Sequence, residues 1–296
     1  MQDIQYKNIS TDTINLPILQ EKNITLDILR LDTIHPVISG NKWFKLKYYL
    51  EEAKHESKKT LLSFGGAWSN HILATAAAAR LVGLNSIGLI RGETKKFESG
   101  TLQEARKLGM QLFFFDRENY RQKIIPTAIH QEEIYVIPEG GYGEKGAAGA
   151  ASILSYSSKK DYTHIVCAAG TGTMAAGLLQ AILPSQHLVA VSVLKNYTNL
   201  EKDILSIAKN KFHSISVVHD YHFGGYAKQK PELIDFMNDF YKETAIPTDF
   251  VYTGKLAFAI MDLVKKNYFL PGYKILMIHS GGLQGNRSLS KGTLIF

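Results

Sequence analysis

From residue 60 onward, short apolar runs alternate with amphipathic segments. Apolar runs of four to six residues predict buried strands, and the segments between them have the apolar spacing of helices that cover a sheet. The predicted strands are 60–64, 86–90, 112–115, 134–137, 164–168, 188–193 and 274–279. The predicted helices are 70–82, 100–109, 144–156, 173–183, 198–209, 230–243 and 255–267. This alternation is typical of βαβ units, so the sequence predicts an α/β fold with mostly parallel sheets.

Composition narrows the class of protein. The 296-residue chain has a net charge of +7 without a long basic block, which favours an anionic ligand over nucleic acid. Its single cysteine, Cys167, excludes an internal disulfide and a multi-cysteine metal site, and we interpret it as a small buried apolar residue. The first residues lack the features of a signal peptide, and no apolar run has the length of a membrane span. We therefore expect a cytoplasmic protein with no nucleic-acid, membrane or metal partner.

Two loops after predicted strands combine glycines with polar residues, at the edge of an open α/β sheet where ligands bind. In FGGAWSNH (64–71), Ser69 or Asn70 would cap the next helix, whose free N–H groups could hold an anion. In HSGGLQGN (279–286), the hydroxyl of Ser280 could face a ligand at close range. A capped helix and a satisfied turn serine would also account for these two loops when each is taken alone.

A third loop, CAAGTGTMAAG (167–177), also leads from a predicted strand into a predicted helix. Its backbone N–H groups and threonine hydroxyls suit a phosphate, and the residues concerned are Gly170, Thr171, Gly172 and Thr173. The loop has neither the lysine of a Walker motif nor the third glycine of a G-x-G-x-x-G motif. A structural turn is the alternative interpretation.

The stretch SGNKWFKLKYYL (39–50) places three lysines at a predicted helix start. Lys42 and Lys45 are three residues apart and share a face, where two cations destabilise each other unless an anion lies beside them. Pyridoxal phosphate would resolve this conflict, because its aldehyde would bond Lys42 and its phosphate would pair with Lys45. A solvated basic face would also account for the two lysines taken alone. Lys47 lies off their face, and we interpret it as solvated.

The whole set of motifs resembles the 1-aminocyclopropane-1-carboxylate deaminase and D-cysteine desulfhydrase family of pyridoxal-phosphate enzymes. Seven stretches occur in the family's order: SGNKWFKL, SFGGAWSNH, TLQEARKLGM, IPEGGYGEKGAAG, CAAGTGT, VYTGK and HSGG. The resemblance implies fold type II, the tryptophan synthase β-like fold, with two three-layer αβα domains and the cofactor in the cleft between them. Residues 1–46 with 148–296 would form the large domain, and 47–147 the small one. The resemblance also implies a homodimer that acts on a small amino acid.

The resemblance assigns cofactor contacts to the matching positions. Lys42 would form the Schiff base with pyridoxal 5′-phosphate and move the proton of the substrate Cα, and Lys45 would contact the phosphate. Asn70 would hydrogen-bond the 3′ oxygen of the cofactor. The phosphate cup would consist of Gly170, Thr171, Gly172 and Thr173.

The resemblance also assigns substrate contacts. Ser69 would receive the substrate carboxylate, and the neighbouring Asn70 and His71 would complete that side of the site. Tyr252, in VYTGK, would lie at the reacting centre, where a core aromatic residue is the alternative interpretation. Tyr226, in DYHFGGYAK (220–228), would be a second active-site tyrosine or a loop aromatic residue.

Two positions separate the branches of this family. Where the deaminase branch has VYEGK and HLGG, this chain has Thr253 and Ser280, and the resemblance places both near the cofactor. A hydroxyl cannot keep the pyridine nitrogen protonated as a carboxylate does, so the electron sink would be weaker. This favours the desulfhydrase branch, and we predict a lyase that converts D-cysteine or a β-substituted relative to pyruvate, ammonia and sulfide. The alternative is a deaminase that converts 1-aminocyclopropane-1-carboxylate to 2-oxobutanoate and ammonia.

Two other classes of protein remain open. A dinucleotide-dependent oxidoreductase would use residues 170–173 for a pyrophosphate, but the predicted strand 188–193 is followed by Lys195 and Asn196 rather than by an acidic residue. A protein that binds pyridoxal phosphate without turnover is the other alternative.

Overall fold

Two β-sheets organise the chain. The computed structural model describes residues 3–92, 98–127, 129, 131–209 and 214–296. The first sheet has the strand order β1 (Thr11–Ile14), β2 (Thr25–Arg30), β10 (Lys274–His279), β7 (His164–Ala169), β8 (His187–Ser192), β9 (Ile215–Val218). The second has the order β5 (Met110–Phe115), β4 (Asn85–Arg91), β3 (Thr60–Gly66), β6 (Ile134–Ile137). All neighbouring strands are parallel except β1 and β2, so the prediction of mostly parallel sheets is confirmed.

Ten α-helices occur in the described residues. They are α1 (Pro17–Glu21), α2 (Asn41–His55), α3 (Asn70–Leu81), α4 (Gly100–Lys107), α5 (Arg117–Gln122), α6 (Glu144–Ala151), α7 (Thr173–Ala181), α8 (Leu200–Ala208), α9 (Pro231–Thr244) and α10 (Thr253–Lys265). All seven predicted strands and all seven predicted helices are confirmed, with ends that differ by a few residues. The segment predicted as one helix over 144–156 is α6 followed by the 3₁₀ helix Ser152–Tyr156.

Alternate residues of the first sheet enter two separate cores. Cys167 and Ala169 of β7 pack with residues of α6, α7 and α8, whereas Val166 and Ala168 pack with residues of α10. Burial on both faces is the reason why these strands are continuous apolar runs in the sequence. Cys167 is fully buried, as predicted, and burial raises the pKa of its thiol to about 12.

The strands that the sequence pattern missed are β1, β2 and β9. β1 and β9 form the two edges of the first sheet and have four residues each, so they lack a long apolar run. In β2, the apolar run is interrupted by Asp27, whose carboxylate accepts a hydrogen bond of 2.7 Å from Tyr162 Oη. The short helices α1 and α5 were missed as well.

The division into two domains stays a prediction. All four strands of the second sheet lie within 47–147, the segment predicted to form the small domain. The predicted boundaries fall inside α2 and α6, and these two helices contact each other. Among the residues described, no helix combines the length and the apolar character needed to cross a bilayer.

The start of α2 packs directly against the loop after β10. Gly40 precedes α2 with a φ of +66°, and a Cβ atom there would overlap the carbonyl oxygen of Ser280. On the other side of the contact, Gly281 has a φ of +73°, and a Cβ atom there would overlap atoms of Ser39 and Gly40. The backbone N–H of Asn41 donates a hydrogen bond of 3.2 Å to the same Ser280 oxygen. The SGNK and HSGG motifs therefore form one packed unit.

We expect Gly40→Ala to destabilise the fold by about 3 kcal/mol or more, because it adds a backbone overlap to an unfavourable positive φ. The matched control is Gly83→Ala, at a φ of +75° with no atom within 4 Å of the added Cβ, which should cost about 1 kcal/mol. Urea unfolding of the two cofactor-free variants measures both values. Equal losses would contradict the packing contact.

Candidate active site

A cavity of about 540 Å³ opens where the carboxyl ends of β3 and β7 meet the start of α2. The strand-to-helix loops bring the glycine motifs together there, as the ends of parallel strands do in open α/β sheets. Twelve of the predicted site residues line it: Lys42, Lys45, Ser69, Asn70, His71, Gly170, Thr171, Gly172, Thr173, Tyr226, Tyr252 and Ser280. Thr253 does not.

Lys42 lies in the first turn of α2 and faces this cavity. Its Nζ donates a hydrogen bond of 2.8 Å to Asn41 Oδ1 and lies 5.8 Å from the centre of the Tyr252 ring. Burial lowers the pKa of Lys42 from 10.5 to about 8, although the nearby carboxylate of Asp249 acts in the opposite direction. An amine with this pKa is available as a nucleophile or a base near neutral pH.

Lys45 is a cation in a buried position. Its side chain lines the same cavity, and only 4% of the residue surface is exposed. Burial, and then the charge of Lys42, lower the pKa of Lys45 well below 10.5. Within the described parts of the chain, no carboxylate or carbonyl pairs with its ammonium group. A buried ammonium in this position requires an anion, and a phosphate would supply one.

The loop after β7 offers a second set of anion contacts. α7 begins at Thr173, and its N-cap Gly172 has a φ of +80° and no side-chain cap, so the first N–H groups of the helix face the cavity without a cap. The hydroxyls of Thr171 and Thr173 lie 3.1 Å apart at the same place. An uncapped helix start with two hydroxyls is suited to a phosphate group. Together with Lys45, this loop fits the phosphate of pyridoxal phosphate.

Ser69 and Asn70 form the wall at the start of α3. Ser69 is the N-cap, and its Oγ accepts a hydrogen bond of 3.3 Å from the N–H of Ile72. Asn70 Nδ2 contacts the carbonyl oxygen of Gly282 at 3.5 Å. Asn70 Oδ1 is buried and has no hydrogen-bond partner among the described residues. This unpaired amide oxygen is a candidate contact for a ligand.

His71 is oriented by the strand beneath it. Ser63 Oγ donates a hydrogen bond of 2.9 Å to the carbonyl oxygen of Ile137, so it accepts one of 2.8 Å from His71 Nε2. Burial lowers the pKa of His71 well below 6.5, and the charges of Lys45 and Lys42 lower it further. His71 is therefore a neutral imidazole with its Nε2 engaged by Ser63.

Two tyrosines form the opposite wall. The rings of Tyr226 and Tyr252 meet edge to face, with centroids 6.1 Å apart. Burial raises the pKa of Tyr252 well above 10, and the neighbouring Tyr226 raises it further. Tyr252 therefore keeps its proton at neutral pH. The ring of Tyr252 also lies over Gly170, where a Cβ would come within 3.4 Å of it.

The predicted contact between Thr253 and the cofactor is not supported by its position. Thr253 is fully buried behind the cavity, at the start of α10. Its hydroxyl donates to Asp249 Oδ1 at 2.8 Å and accepts from the backbone N–H of Asp249 at 2.7 Å. Both functions of the hydroxyl are therefore used inside the protein. Ser280 does line the cavity.

Sequence patterns missed Asp249, which organises this wall. Its buried carboxylate accepts hydrogen bonds from the backbone N–H groups of Val251, Tyr252 and Thr253 at 2.9–3.0 Å. Burial raises the pKa of Asp249, and these hydrogen bonds act against that shift. An acidic residue four positions before the start of α10 was the available signal, since such residues stabilise helix starts.

The loop after β10 is held from behind. His279 Nδ1 lies 3.0 Å from Asp32 Oδ1, and His279 Nε2 donates to the carbonyl oxygen of Pro247 at 2.8 Å. Burial alone would raise the pKa of Asp32, but His279 and the two hydrogen bonds from Arg30 outweigh it and hold that pKa well below its usual range. These contacts fix the position of His279, the residue that precedes Ser280.

We expect Lys45→Met to stabilise the cofactor-free protein, by about 1 kcal/mol or more, because it removes an unpaired buried charge. Inorganic phosphate should raise the thermal unfolding midpoint of the wild type and leave that of Lys45→Met nearly unchanged. The matched control is Lys54→Met, at an exposed position of the same helix, which should keep the phosphate response. An unchanged response in Lys45→Met would contradict an anion site at Lys45.

Lys42 should make the stability of the cofactor-free protein depend on pH. Its pKa is about 8 when folded and 10.5 when unfolded, so between these values the unfolded chain binds more protons and stability rises with pH. We expect Lys42→Met to be more stable than the wild type at pH 7, with an advantage that shrinks between pH 8 and 10.5. Urea unfolding across this range measures the difference. A constant difference would rule out the lowered pKa.

Comparison with known proteins agrees with this geometry. Residues 6–281 match the family described as pyridoxal-phosphate dependent enzyme. Over 268 residues the chain is 30% identical to a Pyrococcus horikoshii protein named as a candidate 1-aminocyclopropane-1-carboxylate deaminase, covering 84% of this chain and 81% of that protein. It is 28% identical over 282 residues to the D-cysteine desulfhydrase of Serratia proteamaculans, covering 86% of each.

A solved structure agrees as well. The crystal structure of a protein described as an ACC deaminase homologue matches with a TM-score of 0.79 and 27% identity, and the match covers 94% of this chain and 90% of that one. Lys45 and the uncapped start of α7 fit the phosphate of the cofactor that this family uses. The chain therefore belongs to the pyridoxal-phosphate dependent enzyme family, with the α/β architecture of fold type II and pyridoxal 5′-phosphate as its cofactor.

Proposed function

We propose that this protein is a lyase that converts D-cysteine, or a closely related β-substituted amino acid, to pyruvate, ammonia and sulfide. One observation carries the proposal: the amine of Lys42, with its lowered pKa, shares a cavity with the buried ammonium of Lys45. The first group has the properties of a covalent catalyst, and the second those of a phosphate contact.

The cavity has a group for each part of the cofactor. Lys42 would hold the aldehyde carbon, Lys45 and residues 170–173 would hold the phosphate, and the amide of Asn70, whose oxygen has no partner among the described residues, would face the ring substituent. When bound, pyridoxal phosphate supplies an electron sink that makes the substrate Cα proton acidic. Ser280 would present a hydroxyl to the same group.

The chain's own residues would perform the binding and the proton movement. Ser69 and the N–H groups at the start of α3 would bind the substrate carboxylate, since a helix start attracts an anion. Lys42 Nζ would remove the Cα proton and hold it while the β-substituent leaves. The neutral hydroxyl of Tyr252, whose ring centre lies 5.8 Å from Lys42 Nζ, would donate a proton or a hydrogen bond at the reacting end.

Sulfide as the leaving group agrees with the polar groups near the cofactor site. Of the two positions that separate the branches, only Ser280 lines the cavity, and it provides a hydroxyl rather than a carboxylate. A thiolate accepts the electron pair of the broken C–S bond, so its elimination needs a weaker electron sink than the opening of a cyclopropane ring. The similarity to the Serratia desulfhydrase supports the same activity.

Deamination of 1-aminocyclopropane-1-carboxylate is the second candidate. It would give 2-oxobutanoate and ammonia in the same cavity, with Lys42 as the proton carrier. The similarity to the Pyrococcus protein supports it. We also propose a homodimer, which rests on the family resemblance alone, and a cytoplasmic location, which the single cysteine favours because it fits a reducing compartment.

We expect the purified protein to be yellow, and borohydride should fix the pyridoxal group on the peptide that carries Lys42. A screen of D-cysteine, L-cysteine, D-serine, β-chloroalanine and 1-aminocyclopropane-1-carboxylate, with detection of pyruvate or 2-oxobutanoate, measures turnover. D-cysteine should be the best natural substrate, and Lys42→Ala should lose at least about 10³-fold in kcat, since it removes both the covalent link and the base.

The control variant is Lys47→Ala, which should keep both colour and turnover. Turnover of the cyclopropane acid without release of sulfide would favour the second candidate. A yellow protein without turnover of any of these compounds would identify a cofactor binder that is not a lyase. A colourless protein that takes up no pyridoxal phosphate would contradict the proposal as a whole.

A further inference from the structure

The segment 221–227, here named the tyrosine loop, lies along one face of α10. Tyr221 Oη donates a hydrogen bond of 2.6 Å to Asp262 Oδ2, and the ring of Phe223 meets that of Phe258 edge to face at 4.9 Å. At the other end, Tyr226 contacts Tyr252, the residue that precedes α10. Positions 258 and 262 share a helix face, and this face continues toward Tyr252. The loop therefore runs antiparallel to α10 and ends at the cavity.

Lys255 occupies the middle of that face. Its side chain is fully buried, and its Nζ donates two hydrogen bonds of 2.8 Å, to the carbonyl oxygens of His222 and Gly225. These carbonyl oxygens belong to two successive turns. The N–H of Gly225 donates a hydrogen bond of 3.0 Å to the carbonyl oxygen of His222, and the N–H of Lys228 donates one of 3.2 Å to the carbonyl oxygen of Gly225. A single ammonium thus joins both turns of the tyrosine loop to α10.

The loop has a backbone that needs such a support. Four of its residues have positive φ: Phe223 at 51°, Gly224 at 98°, Gly225 at 117° and Ala227 at 51°. Phenylalanine and alanine are disfavoured in this region, and such conformations persist when surrounding contacts hold them. The loop surface is also open to solvent, since Gly224, Tyr226 and Ala227 are exposed. The contacts from α10 therefore contribute to holding its shape.

The need to provide hydrogen bonds to the two carbonyl oxygens does not explain why a lysine is buried at position 255. Each oxygen already accepts a backbone hydrogen bond within the loop, and burial of an ammonium is unfavourable, as shown by the pKa of Lys255, which burial lowers to about 8. An apolar side chain would fill the same space at a smaller desolvation cost. Lys255 instead holds the loop in one orientation. In this orientation Tyr226 and Ala227, at the end of the loop, line the cavity.

We propose that Lys255 is a positioning residue, which holds the tyrosine loop on α10 so that Tyr226 forms the wall of the active site beside Tyr252. Lys255 itself does not line the cavity, so it acts on the substrate through Tyr226. The effect on substrate rests on the function proposed above, whereas the effect on the loop does not.

Hydrogen exchange of the pyridoxal-phosphate-loaded protein tests the effect on the loop. In Lys255→Met, the peptide 221–228, which contains the amides of Gly225 and Lys228, should exchange about tenfold faster or more, because two charge-assisted hydrogen bonds are lost. The control is Lys265→Met, at an exposed position of the same helix, which should exchange like the wild type. The cofactor content of both variants should equal that of the wild type, since Lys42, Lys45 and residues 170–173 are untouched.

Kinetics then tests the effect on substrate. Tyr226→Phe and Lys255→Met should each lower kcat/KM for D-cysteine, and the double variant should be no worse than Lys255→Met alone, because the two changes affect one group. Multiplying losses would show that Lys255 acts independently of Tyr226 and would overturn the proposal. Unchanged exchange of peptide 221–228 in Lys255→Met would also overturn it.

Failure of the proposed function and failure of a variant to fold can both be distinguished from failure of this proposal. If the wild type is yellow but turns over no amino acid, the proposed function fails, and the exchange experiment still decides whether Lys255 holds the loop. If Lys255→Met does not fold, Lys255→Gln takes its place, since it keeps a donor but loses the charge. Its peptide 221–228 should exchange faster than in the wild type, and exchange equal to the wild type would contradict the proposal.

Discussion

Two lysines, Lys42 and the buried Lys45, lie one turn apart at the start of a helix and line a single cavity, and the rest of the site depends on this arrangement. Neither cation is neutralised by a direct carboxylate contact among the described residues, and Asp249 acts on Lys42 only through space. Such a pair is tolerated when an anion enters from outside. In the proposed function the cofactor phosphate would fill this role, so the residues that are unfavourable in the empty protein would be the ones that bind the cofactor.

The fold brings the remaining groups to these lysines through the ends of its strands. β3 and β7 belong to different sheets, yet both end in loops that begin a helix at the cavity, α3 and α7. One helix is capped by Ser69 and the other has no side-chain cap, and this difference separates the two ends of the site. The uncapped helix suits a phosphate, and the capped one presents a serine and an amide, to which the proposed function assigns the substrate.

Much of this arrangement was predictable because it depends on local chemistry. Buried parallel strands need apolar runs, and glycine loops that occur in one chain with two closely spaced lysines indicate a bound phosphate group. Edge strands such as β1 were missed because pairing on one side alone leaves their sequence polar. The hydrogen bonds between Asp249 and Thr253 are local, and the acidic residue before α10 was an available signal for them, although the sequence-based predictions missed it. The contacts of Lys255 join residues about 30 positions apart, so no local pattern indicates them.

The contact between Gly40 and the Ser280–Gly281 peptide has a consequence for how this protein can diverge. The two segments lie near opposite ends of the chain, yet neither has room for a side chain while the other keeps its present path. A substitution in one would be accepted only after the other had shifted, and a single-step change in either would displace Lys42 as well. The two motifs therefore constitute one evolutionary unit, and their joint presence in a sequence is more informative than either motif separately.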